Sequence, residues 1–185
     1  MTRRADLITA ATDYALDHGL IGLSLRPLAA AVGTSDRMLV YHFGSKDVLL
    51  AEIIRHSLNR SLRELRSLPP ADSPGAAVRA QWNLWCRPDQ QRCERLYVQA
   101  STLGLLGSEP YASSIADAND DWMAALSTHL VASGVPVERA EQLAVVIDAA
   151  FMGFELDSPL GEVDPPGVAA LADAVDALSR QCSVH

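Results

Sequence analysis

The chain has 185 residues, 49% of them hydrophobic, and a formal net charge of −8. This hydrophobic content excludes a disordered chain, and no apolar run approaches the roughly 20 residues that a membrane-spanning helix needs. The first residues include acids and no uninterrupted apolar core, so we expect no secretory signal, no membrane partner and a cytoplasmic location.

The charge is unevenly distributed along the chain. Residues 1–67 contain nine basic and seven acidic side chains, whereas residues 68–185 contain six basic and sixteen acidic ones. A net charge of −8 argues against a nucleic-acid partner, but the first segment alone is slightly basic at +2. If the protein binds a polyanion, we therefore expect the first 67 residues to make the contact.

The apolar residues recur with a helical period throughout, and no stretch alternates with the period of a strand. The first predicted helix covers about residues 4–18 and ends at Gly19. Its apolar stripe consists of Leu7, Ala11, Tyr14 and Ala15. The sequence therefore predicts an all-α protein that begins with an amphipathic helix.

Residues 24–33 predict a short second helix and a sharp turn. Ser24 can cap this helix, and Pro27 falls in its first turn, where a missing N–H group costs little. Gly33 tolerates the left-handed backbone conformation that ends many helices. We therefore expect the chain to change direction at Gly33.

A third predicted helix follows directly, with Thr34 or Ser35 as its cap. Leu39 and Phe43 are four residues apart and therefore face the core together. Two short helices joined by a tight turn are the layout of a helix-turn-helix, which places its second helix in the major groove of DNA. The outward side of the third helix carries Ser35, Asp36, Arg37, Met38, Tyr41 and His42.

Lys46 is the only lysine in the chain, and it falls in the first turn of a fourth predicted helix that Ser45 can cap. A cation at a helix amino terminus opposes the helix dipole, whereas an anion there would be favoured by the exposed N–H groups and by the lysine. A DNA phosphate fits this description. The alternative interpretation is a solvated surface lysine.

Residues 5–55 resemble the DNA-binding domain of the tetracycline-repressor (TetR) family of bacterial transcription regulators. The resemblance lies in the helix AATDYALDHG, the segment LIGLSLRPLAAAVG and the closing pattern L-x-Y-H-F-G-S-K. The family implies an all-α chain of about nine helices that forms a homodimer on a near-palindromic DNA operator. By position, residues 1–46 correspond to the helix-turn-helix domain, and residues 68–185 correspond to a ligand-binding and dimerisation domain. The helix at 46–67 connects these two domains.

The family's DNA contacts can be carried over by position. Arg26 resembles a base or phosphate contact, and an arm containing Arg3 and Arg4 resembles one that approaches the minor groove; a solvated terminus is the alternative for the arm. Val40 departs from the family, which often has tyrosine there, so one phosphate-binding hydroxyl is lost. The implied DNA-binding set is Arg26, Thr34, Ser35, Asp36, Arg37, Met38, Tyr41, His42 and Lys46, with Asp36, Arg37 and Met38 facing base edges and Tyr41, His42 and Lys46 facing phosphates.

The remaining residues predict five further helices. The clearest break is LPPADSPG at 68–75, where Ser73 and Pro74 match the cap and first residue of a helix. The next helices are predicted at about 89–105, 111–132, 137–155 and 166–181, the last with Asp164 as its cap. Three cysteines, Cys86, Cys93 and Cys182, show no metal or disulfide spacing, and small buried hydrophobic residues are the favoured interpretation.

The middle helices are predicted to enclose a mostly apolar pocket for a small effector. All three tryptophans lie there, although each aromatic residue taken singly also suits an ordinary core. Acidic candidates outnumber basic ones, which favours a neutral or cationic effector. The candidate lining is Trp82, Trp85, Tyr97, Trp122, Phe151 and Met152, and the candidate polar anchors are Gln99, Asn119, Asp121, His129 and Glu155.

The last two helices are the predicted dimer surface, because small alanines among larger apolar residues allow close helix approach. Periodicity alone does not separate such a surface from the core of a single chain. The candidate contacts are Leu143, Ile147, Phe154, Leu171, Val175 and Leu178.

These features predict a ligand-responsive DNA-binding regulator, a repressor released from its operator by the effector, without cofactor, metal or catalytic residues. The alternatives are an activator of the same fold and a helical small-molecule-binding protein that has lost DNA binding, which the acid Asp36 near the groove favours. An all-helical enzyme is disfavoured, because the histidines are scattered and no catalytic motif is present.

Overall fold

The protein is helical from end to end of its described part. The computed structural model describes residues 3–157 and 166–180, and within these residues there are nine helices and no strand. This confirms the predicted all-α fold class. Asp164 and Cys182 lie outside the described residues. The helices are α1 (Arg3–His18), α2 (Leu25–Ala31), α3 (Asp36–Phe43), α4 (Lys46–Ser67), α5 (Pro74–Trp85), α6 (Pro88–Leu105), α7 (Tyr111–Ala132), α8 (Val137–Asp157) and α9 (Pro166–Arg180).

The start of α5 shows how local sequence sets a helix boundary. Ser73 has an extended backbone, and its side chain accepts a hydrogen bond from the N–H of Ala76 at 3.1 Å. Pro74 follows as the first helical residue, where its missing N–H would have had no helical partner. The predicted cap and boundary are therefore confirmed.

The described residues pack into two compact units. The amino-terminal unit contains the residues up to Ser61 together with Pro88–Asn119, and the carboxy-terminal unit contains Leu62–Arg87 together with the residues from Asp120 onward. Helices α4 and α7 each begin in the amino-terminal unit and end in the carboxy-terminal unit.

The core of the amino-terminal unit joins α1, α2, α3, the first part of α4, and α6. Leu28, Leu39 and Ile53 have no exposed side-chain surface, and Leu96 of α6 is only 2% exposed. Burying each such side chain stabilises the fold by about 1.5–3 kcal/mol. Helix α6 therefore shares a core with the predicted helix-turn-helix.

The core of the carboxy-terminal unit is built on close packing of α5 against α9. A Cβ atom at Gly75 would lie 2.8 Å from the carbonyl oxygen of Ala172, so only glycine allows this approach. The N–H of Gly75 also donates to the Asp176 carboxylate at 2.6 Å. Around this contact, Trp82 packs edge-to-face against Phe151 with 5.0 Å between ring centroids.

The predicted division of labour, with DNA binding in 1–46 and ligand binding in 68–185, is a statement about roles and stays a prediction. Packing groups α6 and the beginning of α7 with the amino-terminal helices, which periodicity along the chain did not indicate. Among the described helices, none combines the length and apolar character needed to cross a membrane.

Candidate nucleic-acid interface and effector site

The turn before α3 is fixed by one glycine and one serine. Gly33 has a φ of +69°, which side chains other than glycine rarely adopt. Ser35 is extended, and its Oγ accepts from the N–H of Met38 at 3.2 Å. Ser24 occupies the corresponding place before α2, but its side chain makes no capping hydrogen bond. The direction of α3 therefore depends on Gly33 and Ser35 rather than on Ser24.

Helix α3 has one buried side and one outward side, as predicted. Leu39 and Phe43 are 0% and 4% exposed and anchor the helix on the core. A short helix held this way keeps its outward side available to a partner. The predicted DNA-facing residues are all exposed or half-buried: Arg26, Thr34, Ser35, Asp36, Arg37, Met38, Tyr41, His42 and Lys46.

Asp36, the acid on this outward side, has a local structural role. Its carboxylate accepts from the N–H of Arg37 at 2.9 Å, in the first turn of α3. A negative charge in that place stabilises the positive end of the helix dipole. The acid therefore helps to hold α3 and Arg37, and its presence does not argue against a DNA partner.

Lys46 lies at the first residue of α4, and its side chain is exposed. The Oγ of Ser45 accepts from the N–H of Val48 at 3.2 Å and so caps the helix. Within the described residues, Lys46 makes no ion pair. An unpaired ammonium group beside the free N–H groups of a helix terminus is suited to a phosphate.

Tyr41 and His42 differ in availability. Tyr41 is 77% exposed, so its hydroxyl can reach a partner without rearrangement. The Nε2 atom of His42 is buried and has no hydrogen-bond partner among the described residues. A phosphate contact by His42 therefore requires its other ring nitrogen or a rotation of the side chain.

Arg4 links its own helix, α1, to α3 and α4. These contacts were not predicted from the sequence. The Nε of Arg4 donates to the carbonyl of His42 at 3.1 Å, and its guanidinium forms an ion pair with Glu52 of α4. The same guanidinium lies over the Phe43 ring, 4.8 Å from the centroid. Arg4 is thus engaged within the protein rather than in a free arm, and the side chain of Arg3 lies outside the described part.

Gln99 of α6, a predicted ligand anchor, serves the backbone of the amino-terminal unit. Its Oε1 accepts from the N–H of Leu20 at 2.7 Å and from that of Ile21 at 3.2 Å. A Cβ atom at Gly19 would lie 2.8 Å from this oxygen, and Gly19 has a φ of +82°. The side chain thereby fixes the loop between α1 and α2.

In the carboxy-terminal unit, two tryptophans donate to two carboxylates of α8. The indole Nε1 of Trp122 donates to Asp148 at 2.8 Å, and that of Trp85 donates to Glu155 at 2.5 Å. The two indole rings meet edge-to-face with 6.5 Å between centroids. Burial raises the pKa of Asp148 above its usual value, and the hydrogen bond from Trp122 opposes this shift.

The other predicted ligand residues are divided between the two units. Trp82, His129, Phe151 and Met152 lie in the carboxy-terminal unit with the tryptophan–carboxylate pairs. Tyr97 lies in the amino-terminal unit, where its hydroxyl donates to Asn119 at 2.9 Å, and Gln99 lies there too. Asp121 is exposed on α7. Sequence reasoning missed Asp148, because its partner Trp122 is on another helix.

The predicted dimer contacts fall into two groups. Leu143, Ile147 and Val175 are 0–4% exposed within the core of their own chain, so they offer no surface to a second copy in this conformation. Phe154, Leu171 and Leu178 are half-buried. Helical periodicity had marked both groups equally. The apolar residues that α8 does expose include Val145 and Val146, which are 58% and 51% exposed.

A short capped helix with a polar outward face, mounted on a small helical core, defines a helix-turn-helix protein. Residues 7–53 match the model of the family described as bacterial regulatory proteins, tetR family. The amino-terminal residues therefore match the tetR family, which confirms the resemblance that the sequence pattern indicated.

Two kinds of relatives support this assignment. The HTH-type transcriptional repressor Rv3405c of Mycobacterium tuberculosis is 34% identical over 68 residues, which cover 37% of this chain and 36% of the relative. The match thus spans about a third of the curated relative's length. The name of this relative describes a transcriptional repressor, which agrees with the class of protein predicted from the sequence.

The solved structures extend the likeness to the whole fold. A transcriptional regulator from Rhodococcus sp. RHA1 has a TM-score of 0.74 at 23% identity, covering 98% of this chain and 97% of that one. The multidrug binding protein EbrR, in complex with proflavin, has a TM-score of 0.70 at 21% identity, covering 96% and 99%. At these identities the likeness establishes the fold.

Proposed function

We propose that the protein is a transcription regulator that binds double-stranded DNA through α3 and the amino terminus of α4. The observation that carries this proposal is the pair of serine caps, Ser35 and Ser45, that present α3 and Lys46 on an exposed side of the amino-terminal unit. The match to the tetR family model covers the same residues. A DNA partner also implies a cytoplasmic location.

The contacts to DNA divide by chemistry. Lys46 and the hydroxyl of Tyr41 are proposed to bind phosphates, which position the protein without reading sequence. Arg37, with Asp36 and Met38 beside it, is proposed to face base edges in the major groove. Each good bidentate base contact contributes about 1–3 kcal/mol of discrimination, so one short helix reads only a few base pairs.

We further propose a homodimer, because two helix-turn-helix domains (the heads, residues 1–46 of each chain) on a near-palindromic operator double these few contacts. The exposed apolar residues of α8, Val145 among them, support a surface for a second copy. The proposed role is repression, which is the role in the name of the relative Rv3405c.

A small effector is proposed to release the DNA. The carboxy-terminal unit supports this role through its tryptophans and carboxylates, and the neighbour EbrR is itself a ligand-binding protein of this fold. An effector releases DNA only when it binds better to a conformation in which the heads do not fit the operator.

The phosphate role of Lys46 can be tested by salt titration. A duplex selected from random sequences by the purified protein is titrated with wild type and Lys46→Ala at several salt concentrations. Each lost phosphate contact reduces the magnitude of the slope of log K against log salt by about 0.9. A dimer loses two such contacts, so the magnitude of its slope should fall by about two.

The matched control is Arg55→Ala, which removes the same charge from an exposed position further along α4. We expect the control to keep the wild-type slope. An unchanged slope for Lys46→Ala would refute the phosphate contact, and failure to select any duplex would refute DNA binding.

The second candidate function is a small-molecule-binding protein without DNA binding. The net charge of −8 favours it, because a polyanion repels an acidic protein. The same selection experiment decides between the two, since this candidate predicts effector binding by calorimetry and no selected duplex.

A further inference from the structure

We propose that the carboxy-terminal unit binds an aromatic organic cation, held by Trp85 and Trp122 together with the carboxylates of Asp148 and Glu155. The proposal names the chemical class of the effector. It rests on the proposed function for its regulatory meaning, but the binding itself is independent of DNA.

The geometry brings two negative charges and two indole rings together. Asp148 and Glu155 are seven residues apart on α8, so two helical turns place them on the same face. Each receives one hydrogen bond from a tryptophan on another helix, Trp122 of α7 and Trp85 of α5. The carboxylates and rings thus form one surface made by three helices.

This surface lacks a positive charge. Among the described residues, neither Asp148 nor Glu155 has a basic partner within ion-pair distance. The arginines of α5 and its end are engaged elsewhere, Arg79 with Asp173 and Arg87 with Glu64. A half-buried carboxylate whose only partner is a neutral donor is costly for the fold, and burial accordingly raises the pKa of Asp148.

A second observation points to a ligand rather than to folding alone. Gln81 is 1% exposed, and both of its amide atoms lack a hydrogen-bond partner among the described residues. It precedes Trp85 by one helical turn, so both side chains project from the same face of α5. Buried polar groups are usually hydrogen-bonded, so these two amide atoms are available to a bound ligand.

His129 of α7 is, in the described part of the chain, a second buried side chain with an unpartnered polar atom near a tryptophan in sequence. It follows Trp122 by two helical turns, is 7% exposed, and its Nε2 also has no partner among the described residues. Burial lowers the pKa of His129, so the imidazole is neutral and does not neutralise the nearby acids. The three helix faces therefore offer aromatic rings, two carboxylates, an amide and a neutral imidazole.

These groups select a class of ligand. A cation gains from both the carboxylates and the faces of the tryptophan rings, whereas an anion is repelled by both. A flat aromatic body suits the indoles and Phe151, whose ring is 5.7 Å from that of Trp85. Met152 is half-buried beside them, and its flexible side chain can adjust to the shape of the ligand.

The test uses three acridines that share one ring system and differ in charge. The cation 9-aminoacridine, neutral acridine and the anion acridine-9-carboxylate are titrated into the full chain by calorimetry at neutral pH, without DNA because acridines intercalate. We expect the cation to bind at least about tenfold more tightly than acridine, and the anion not to bind. Equal affinity of cation and acridine, or no binding of any of the three, would overturn the proposal.

Substitutions locate the site. Asp148→Asn keeps an acceptor for Trp122 but removes the charge. It should therefore weaken binding of the cation by about tenfold and leave the affinity for acridine unchanged. The control is Asp173→Asn, which removes an exposed acid of the same unit and should change neither affinity. Glu155→Gln repeats the test, and thermal unfolding of each variant verifies that it is folded.

The outcomes separate this proposal from the proposed function. Equal loss for cation and acridine in Asp148→Asn would show a packing effect and overturn the cation site. Because acridines also intercalate, the effect of the cation on operator affinity is compared between wild type and Asp148→Asn, and an equal effect in both would uphold the site and refute the effector role. Operator binding without any cation binding would overturn the cation site and uphold the proposed DNA binding.

Discussion

A glutamine from each unit shows how differently the same side chain is used in the two regions of the molecule. In the amino-terminal unit, Gln99 accepts two backbone hydrogen bonds and Ser35 caps α3, so polar atoms complete the fold. In the carboxy-terminal unit, Gln81 and His129 are buried with polar atoms that have no partner among the described residues. Satisfied groups fix one geometry, whereas unsatisfied ones reduce stability and remain available to a ligand. Gln99 therefore has a structural role in the amino-terminal unit, whereas the amide of Gln81 in the carboxy-terminal unit is available to a ligand.

The sharpest test of this contrast replaces the two glutamines by methionine, which has a similar shape and no hydrogen-bonding amide. Gln99→Met leaves the part-buried N–H group of Leu20 and the exposed one of Ile21 without their acceptor, so we expect a loss of about 1–3 kcal/mol. Urea denaturation measures the loss. Hydrogen exchange at these two amides should accelerate beyond that of their neighbours, and protection equal to wild type would contradict the role of Gln99.

Gln81→Met should change the free energy of unfolding in the opposite direction. It removes a buried amide that has no partner among the described residues, so we expect the protein to gain about 1–2 kcal/mol in urea denaturation. Calorimetry on the same variant should show weaker binding of 9-aminoacridine. A loss of stability similar to that of Gln99→Met would remove the contrast between the two glutamines.

A smaller effect is expected at the two caps of the helix-turn-helix. Ser35→Ala removes the acceptor for the N–H of Met38 and should cost about 1 kcal/mol. Ser24→Ala is the matched control, because Ser24 holds the same position before α2 without a side-chain hydrogen bond. Thermal unfolding measures both variants, and equal losses would show that the cap of α3 is unimportant.

The smallest effect concerns pH. Burial lowers the pKa of His129 below 6.5, so between the folded and unfolded pKa values the unfolded chain binds more protons than the native chain. This contribution to stability is full above pH 6.5 and is lost as the pH falls through the folded pKa. His129→Gln should flatten the loss in denaturation curves below pH 6.5, whereas the surface variant His18→Gln should retain it.

How much the sequence reveals also differs between the units. Ser35, Gly33 and the alternation of inward and outward residues on α3 act over one or two helical turns, so a local pattern predicts them. The helix bounds were predictable for the same reason. The contacts of Arg4 were not predicted, because its partners His42, Phe43 and Glu52 are some forty residues away in sequence.

The candidate effector site depends on contacts between distant segments. Composition singled out the tryptophans and Glu155, but the pairing of Trp122 with Asp148 across two helices has no signature in either segment. For the same reason Gln99 was assigned to the ligand, although its partners are 78 and 79 residues away in the head. Leu143 and Ile147 show the remaining ambiguity, since a helical stripe does not reveal whether its own chain or a second copy covers it.

The placement of the aromatic residues gives each unit its own optical reporter. All three tryptophans lie in the carboxy-terminal unit, whereas all four tyrosines, Tyr14, Tyr41, Tyr97 and Tyr111, lie in the amino-terminal unit. Emission excited at the red edge of the absorption band therefore comes from the carboxy-terminal unit alone, without any label. Selective isotope labelling of tyrosine rings gives the complementary signal, with Tyr41 at the candidate DNA surface. The protein can thus report on each unit separately, without any substitution, when either partner is added.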